Sequence, residues 1–420
     1  MPRESPLLTT EQVAARLGVK PTTVYAYVSR GLLTSIRNAD GKGSLFARAD
    51  VDAFVAGRRR TTTPGIQTGI TLIRDGGLYY RGTDALHLAR TSTFEAVATL
   101  LWTGTLDHVD LVPNPELTAL AEAVVRPLPA DARTTDRLRV IVAAAATADP
   151  LRFDTSAPAV IATGRTMLAT MVSALPQAGT THAGAPHAGP STSAAGMSGD
   201  PRADPGAGRR GGRLAEALWP RLTARPPDPT DCRVLDAALI LLADHDIAAS
   251  TLAARVAAST RAHPYAVVGA GLAALDGPFH GAASGLAYAL LNDAIQNRDP
   301  VATIAARLRT DGHLPGFGHG LYPDGDPRAA TLLDLLDDGP ARDMAVRLAQ
   351  AVRERSGTHP NIDLALAALA LHHGMPADAG EAVFAVARTA GWLAHALEEY
   401  ADRPSRFRPV GQYAGRTPSA

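Results

Sequence analysis

Long alanine-rich stretches at the helical period constrain this chain more than any other feature. Apolar residues recur every three to four positions through Leu117–Val125, Arg137–Ala146, Leu235–Ala258, Ala341–Arg353 and Ala379–Tyr400. The two-residue alternation of half-buried strands is scarce. Aromatic residues make up only 5% of the chain, so its helices must pack through small side chains at close approach. The pattern predicts a mainly α fold, and 420 residues allow two or three folding units with sizeable cores.

Formal charge cancels, 41 basic against 41 acidic side chains, which excludes a polyelectrolyte. The cancellation is uneven. Residues 1–60 carry ten basic side chains against five acidic ones, and the only lysines, Lys20 and Lys42, lie there. A compact basic unit on a neutral body implies a polyanion contact made by that unit alone. The single cysteine, Cys232, excludes an internal disulfide and reads as a buried thiol in a reducing compartment. The opening Met1-Pro2-Arg3-Glu4 lacks a signal peptide's apolar core, and the most apolar stretch, Val234 to Ala243, is too short to span a bilayer. The expectation is a soluble, cytoplasmic protein with no membrane contact.

Within the basic unit, Thr9 and Gln12 form a capping box, and Val13, Ala14 and Leu17 make an apolar stripe ending at Gly18. Pro21 opens a second helix, where its missing N–H costs nothing. Two short helices joined by a Gly turn are the helix-turn-helix pattern. Leu33–Arg37 and Ser44–Arg48 flank a wing at 38–43, and Ala49–Ala56 closes the unit as a helix. Tyr25 or Tyr27 is expected in the small core. Residues 1–60 resemble the excisionase/MerR-like winged helix-turn-helix family over nearly their whole length. The resemblance implies that Lys20, Thr22, Thr23 and Tyr25 face the major groove of duplex DNA, with Arg37 and Lys42 near phosphates. A protein contact is the other use of such a module. Arg58-Arg59-Arg60-Thr61-Thr62-Thr63-Pro64 reads as the hinge to the body.

Three segments of the last third carry chemistry: Pro278-Phe279-His280-Gly281, Pro315-Gly316-Phe317-Gly318-His319 and His359-Pro360-Asn361-Ile362-Asp363. Each sets a histidine or carboxylate beside a Gly/Pro break, where the chain turns and a side chain can face a cleft. A carboxylate can take a proton from a weakly acidic C–H, one imidazole N–H can hold the enolate oxygen, and another can polarise an acceptor carbonyl. Taken singly, each segment also has a plain structural use, such as Asn361 capping a helix.

The order His, His, Asp, with these flanking motifs, resembles the citrate synthase family. Gly69–Gly104 also looks like the opening of that family's large domain. The resemblance implies a large helical domain over about 64–285 and 376–420 and a small one over 286–375. Ser173 to Arg213, rich in Gly, Ala, Pro, Ser and Thr, reads as a flexible insertion in the large domain, and His182 and His187 inside it as solvated rather than metal-binding.

By the same resemblance His280 donates to the thioester oxygen of acetyl-CoA, His319 polarises the ketone of oxaloacetate, and Asp363 takes the methyl proton. His245 holds an oxaloacetate carboxylate, as do Arg328, Arg388 and Arg403, the last reaching the neighbouring subunit of a homodimer. The glycines of Gly316-Phe317-Gly318 offer backbone to CoA, and the small domain closes over the large one to exclude water. The implied activity is acyl transfer with conversion of acyl to alkyl: acetyl-CoA and oxaloacetate condense to citrate and CoA, without metal or other cofactor. Alternatives are 2-methylcitrate synthase, which uses propionyl-CoA, and a DNA-binding regulator whose body senses a ligand without turnover. Three positions depart from the family pattern: Ala248 and Ser284 stand where it has Asn, and Gly320 where it has Arg.

Overall fold

The computed structural model describes residues 7–17, 19–29, 33–37, 44–52, 54, 66–179 and 212–407. The chain divides between Gln67 and Thr68 into two units. In the first, β1 (Leu7–Thr9), β2 (Ile36–Arg37) and β3 (Ser44–Ala47) form an antiparallel sheet in the order β1-β3-β2. The capping box forms as expected: the Gln12 N–H donates to Thr9 Oγ1 at 3.4 Å and the Thr9 N–H to Gln12 Oε1 at 2.9 Å. Helices Thr10–Leu17 and Pro21–Ser29 bury Val13, Ala14 and Val24 with Leu8, Leu33, Phe46 and Val51. Tyr27 joins this core, its ring 5.3 Å from that of Phe54, whereas Tyr25 is 51% exposed. A helical segment follows at 48–52. Gly18, the wing residues 38–43 and the hinge 58–64 lie outside the described residues.

The second unit is mostly helical. Its β4 (Thr71–Arg74), β5 (Gly77–Tyr80) and β6 (Thr83–Asp84) make a small antiparallel sheet, turned at Gly76 and Gly82 with φ of 74° and 84°. Thr93 caps the Phe94–Thr103 helix, and Gly104 ends it in the left-handed conformation. At the centre runs the Ala379–Ala401 helix, buried continuously from Ala379 to Ala396. It packs against helices Phe94–Thr103, Ala157–Ser173, Pro229–Leu242, Ala249–Ser259 and Pro264–Leu275. A second group, Ala283–Asn297, Pro300–Asp311, Pro327–Leu335, Pro340–Ser356 and Ile362–His372, packs mainly on itself.

One expected helix is broken. The periodic run Leu235–Ala258 forms two helices, Pro229–Leu242 and Ala249–Ser259, with Asp246 left-handed at φ 54° between them. The central helix comes so close here that a Cβ on Gly391 would lie 2.4 Å from the Ala243 carbonyl oxygen. The Gly391 N–H donates to that carbonyl at 3.0 Å, taking an acceptor that a continuing helix would use for itself. Apolar residues continue on both sides, so periodicity cannot register the break. Asp244 and His245 leave the helix as a result.

The helix ending at Ser173 and the one starting at Leu214 bracket the expected insertion, whose residues 180–211, His182 and His187 included, lie outside the described residues. No helix among the described residues is long and apolar enough to cross a membrane. Cys232 is buried, and burial pushes its thiol pKa up, as suits an inert thiol.

Candidate active site

Two of the chemical motifs zip together. The Gly318 N–H donates to the His359 carbonyl at 2.8 Å, and the Asn361 N–H to the Gly316 carbonyl at 2.9 Å. Gly316 and Gly318 hold φ of 82° and 79°, and a Cβ on Gly316 would come within 3.1 Å of Ala287 and Leu364. Asn361 caps the Ile362–His372 helix, accepting from the Asp363 N–H at 3.0 Å. The capping role and the cleft placement therefore coexist, because the cap puts Asp363 in the first turn beside the His319 loop.

His245, His280, His319, Arg328, Asp363 and Arg388 line one cleft of about 620 Å³. Ala248, Phe279, Leu286, Leu314, Phe317 and Phe384 supply its apolar walls. Among the described residues, none bonds the Asp363 carboxylate. Burial pushes its pKa up to about 7, with Arg328 opposing and Asp326 adding. A carboxyl half deprotonated near neutrality is matched to removing a proton from carbon.

All three histidines are held neutral. Burial, then Arg388, brings His280 down to about 4. Burial and the Arg328 charge lower His319, and burial with Arg328 and Arg388 takes His245 well below the usual range. His319 Nδ1 accepts from the Leu321 N–H at 3.1 Å, so its ring proton is on Nε2. His280 Nε2 lies 2.7 Å from Ser250 Oγ, which also accepts from Trp392 Nε1 at 3.3 Å. The Ser250 hydroxyl hydrogen is thus available to His280 Nε2, an arrangement that leaves the ring proton on Nδ1.

The two arginines differ. Arg328 forks onto Asp326 through Nε at 2.9 Å and Nη2 at 2.7 Å, and Asp326 also accepts from the Ile362 N–H at 3.0 Å. Despite burial, that fork holds the Asp326 pKa below the usual carboxylate range. Arg388 donates Nε to the Leu242 carbonyl at 2.8 Å, but its buried Nη1 and Nη2 have no partner among the described residues. Burial brings its pKa down to about 10. Two parallel buried donors on a cation are costly unless an anion meets them, and a carboxylate has the matching geometry.

Arg403 stands apart. It is exposed just after the central helix and does not line the cleft. Of the three departures, Ala248 and Gly320 line the cleft, and a Cβ on Gly320 would meet open space. Ser284 is instead buried, with Oγ donating to the Gly281 carbonyl at 3.3 Å. In the first unit, Lys20, Thr22 and Tyr25 are exposed and Thr23 half-buried, all at the start of the second helix. Arg37 lies in β2, and Lys42 falls outside the described residues. No cluster of three or more metal-ligating His, Cys, Asp or Glu side chains occurs among the described residues.

Sequence reasoning missed Ser250, Trp392, Tyr322 and the role of Asp326. Asp326 carried a signal, two residues before Arg328 across a proline. Tyr322 carried a weaker one, three residues beyond His319 in a turn. Ser250 and Trp392 carried none, because their contacts join residues far apart in the chain.

The profile of the citrate synthase C-terminal domain matches residues 60–410, and that of a helix-turn-helix domain matches 7–59. A citrate synthase of Acidithiobacillus ferridurans is 35% identical over 206 residues, covering 46% of this chain and 53% of that one. The aligned stretch thus spans about half the length of that relative. The 2-methylcitrate synthase 2 of Corynebacterium glutamicum is 28% identical over 358 residues, covering 80% of this chain and 88% of that one. The citrate synthase of Thermoplasma acidophilum, solved with carboxymethyl coenzyme A and oxaloacetate, superposes with a TM-score of 0.65 at 22% identity over 87% of this chain and 97% of that one. That likeness establishes the fold. With the profile covering 60–410 and every cleft motif inside it, the chain belongs to the citrate synthase family and carries a helix-turn-helix domain ahead of that body.

Proposed function

We propose that the body is an acyltransferase that condenses acetyl-CoA with oxaloacetate, releasing citrate and CoA. The observation that carries the reading is Asp363, a carboxyl with a pKa of about 7, in one cleft with two neutral histidines and the unmatched Nη atoms of Arg388. Asp363 takes a proton from the acetyl methyl group, and the C–H electrons become the C=C bond of an enolate. The His280 N–H holds the thioester oxygen, where the charge collects. The carbon attacks the ketone of oxaloacetate, whose oxygen takes the proton of His319 Nε2, and that nitrogen regains a proton from the water of the next step. Water then cleaves the thioester, giving the CoA thiol and the third carboxylate of the product. Arg388 and Arg328, with His245, bind the acceptor carboxylates, and the chemistry needs no cofactor beyond the thioester.

Acetyl-CoA is the first choice of thioester; the similarity to a 2-methylcitrate synthase keeps propionyl-CoA as the second. Thiol release should be faster with acetyl-CoA than with propionyl-CoA, and should require oxaloacetate. A reversed preference would make the chain a 2-methylcitrate synthase, and thiol release independent of oxaloacetate would end the condensing reading. We also propose a homodimer in which Arg403 reaches the second copy's acceptor, and closure of the 283–372 helices over the rest.

The pH dependence follows from Asp363, which works only when deprotonated. Activity (kcat/KM for acetyl-CoA) should rise with pH through about 7 and level off above it. His280, at about 4, stays neutral throughout that range. A profile flat from pH 5 to 8 would remove Asp363 from the role of base.

For the first unit we propose duplex DNA binding, supported by its excess of five positive charges and by exposed Lys20, Thr22 and Tyr25 on one helix start. Affinity should fall at least about tenfold between 50 and 200 mM salt, because phosphate neutralisation releases counterions. Lys20→Glu in the full chain should weaken it further without changing condensation. A salt-insensitive association would identify a protein partner instead.

A further inference from the structure

Behind the cleft, one side chain touches three of the residues that line it. Tyr322 is 2% exposed; its ring lies 4.9 Å from that of His319 and 5.5 Å from that of His245, and Arg328 Cζ stands 5.5 Å from its centroid. The placement is local in origin. The Tyr322 N–H donates to the His319 carbonyl at 3.2 Å and the Gly325 N–H to the Tyr322 carbonyl at 3.2 Å, so two successive turns fold the ring back onto His319.

Among the described residues its hydroxyl makes one bond, to His245 Nε2 at 3.0 Å. Burial pushes the phenol pKa up to about 12, so the proton stays on oxygen. His245 is neutral and therefore has one accepting nitrogen and one N–H. Were Nε2 the N–H, it would donate to the phenol, and the buried hydroxyl hydrogen would have no acceptor among the described residues. With the hydroxyl donating to Nε2, the buried hydroxyl hydrogen has its acceptor and the ring proton of His245 moves to Nδ1.

We propose that Tyr322 is a positioning residue that fixes His245 as its Nδ1–H tautomer, so that His245 and His319 present two N–H donors to a single 2-oxo acid. The two rings stand 5.2 Å apart, edge to face, with His319 carrying its proton on Nε2. That spacing suits adjacent oxygens, the ketone on His319 and the neighbouring carboxylate on His245. The assignment of the acceptor rests on the condensing reading above; the tautomer does not.

Tyr322→Phe removes the hydroxyl and keeps the ring against His319 and Arg328. Nitrogen-15 NMR of histidine-labelled protein, with the His245 signals identified by their loss in His245→Gln, reads the tautomer without any ligand. Wild type should show Nδ1 protonated and Nε2 accepting, and Tyr322→Phe should shift His245 toward Nε2–H. KM for oxaloacetate should rise about tenfold in this variant, the loss of one hydrogen bond, with kcat and KM for the thioester within about threefold. Tyr322→Leu, which also removes the ring from His319, should lower kcat as well. A wild-type spectrum with Nε2 protonated, or an unchanged tautomer in Tyr322→Phe, would overturn the proposal. If the tautomer shifts but wild type neither binds nor turns over oxaloacetate, the acceptor assignment fails and the positioning role stands.

Discussion

Asp363→Asn is expected to lower kcat by about 10²–10⁴-fold while oxaloacetate binds as in wild type. The amide keeps the shape of the carboxyl and cannot take the methyl proton. The cap uses the Asp363 main-chain N–H, which donates to Asn361 Oδ1, so the helix start survives the change. Binding and chemistry should therefore separate: isothermal titration with oxaloacetate gives a wild-type affinity, and thiol release is nearly abolished. Turnover within a few-fold of wild type would show that another group is the base.

The second large effect distinguishes the two buried arginines. Arg388→Met should weaken oxaloacetate binding by about 10²–10³-fold, the scale of one charged bidentate pair. The same change should cost only about 1 kcal/mol of stability, because Nη1 and Nη2 have no partner among the described residues and the Nε bond to the Leu242 carbonyl is what is lost. Saturating oxaloacetate should raise the Tm of wild type and leave that of the variant unmoved. Arg328→Met should behave differently. It strands the buried Asp326 carboxylate, which also holds the Ile362 N–H, and should cost about 3–5 kcal/mol of stability. Differential scanning calorimetry of both variants, with and without oxaloacetate, checks the contrast. A strongly destabilised Arg388→Met would mean that this guanidinium serves the fold.

Much of this architecture is legible in the chain, and the places where it is not share a physical cause. Helix starts were readable because caps are local: Thr9 with Gln12, and Asn361, each act within a few residues. The motifs around His280, His319 and Asp363 were readable because Gly and Pro mark where a chain must turn. The break before His245 was not, since its cause is Gly391 of the central helix, distant in sequence, taking the Ala243 carbonyl. Ser250 escaped for the same reason: its partners His280 and Trp392 lie 30 and 142 residues away. Of the three small-residue departures, only the structure separates Ala248 and Gly320, which face the cleft, from Ser284, which packs beneath it. Burial also decides the electrostatics. Local sequence places Asp363 in the first turn of a helix, where a carboxylate is normally favoured, but its surroundings raise the pKa to about 7.

In the proposed reaction this cleft forms a carbon–carbon bond between a thioester methyl group and a ketone. Acetyl-CoA with a fully deuterated methyl group, incubated with the purified chain and oxaloacetate, tests it in one mass-spectrometric measurement of the acyl product. The expected product is citrate that has lost one deuteron and kept two, formed in step with free CoA thiol. Acetate retaining all three deuterons, or no product that depends on oxaloacetate, would contradict it.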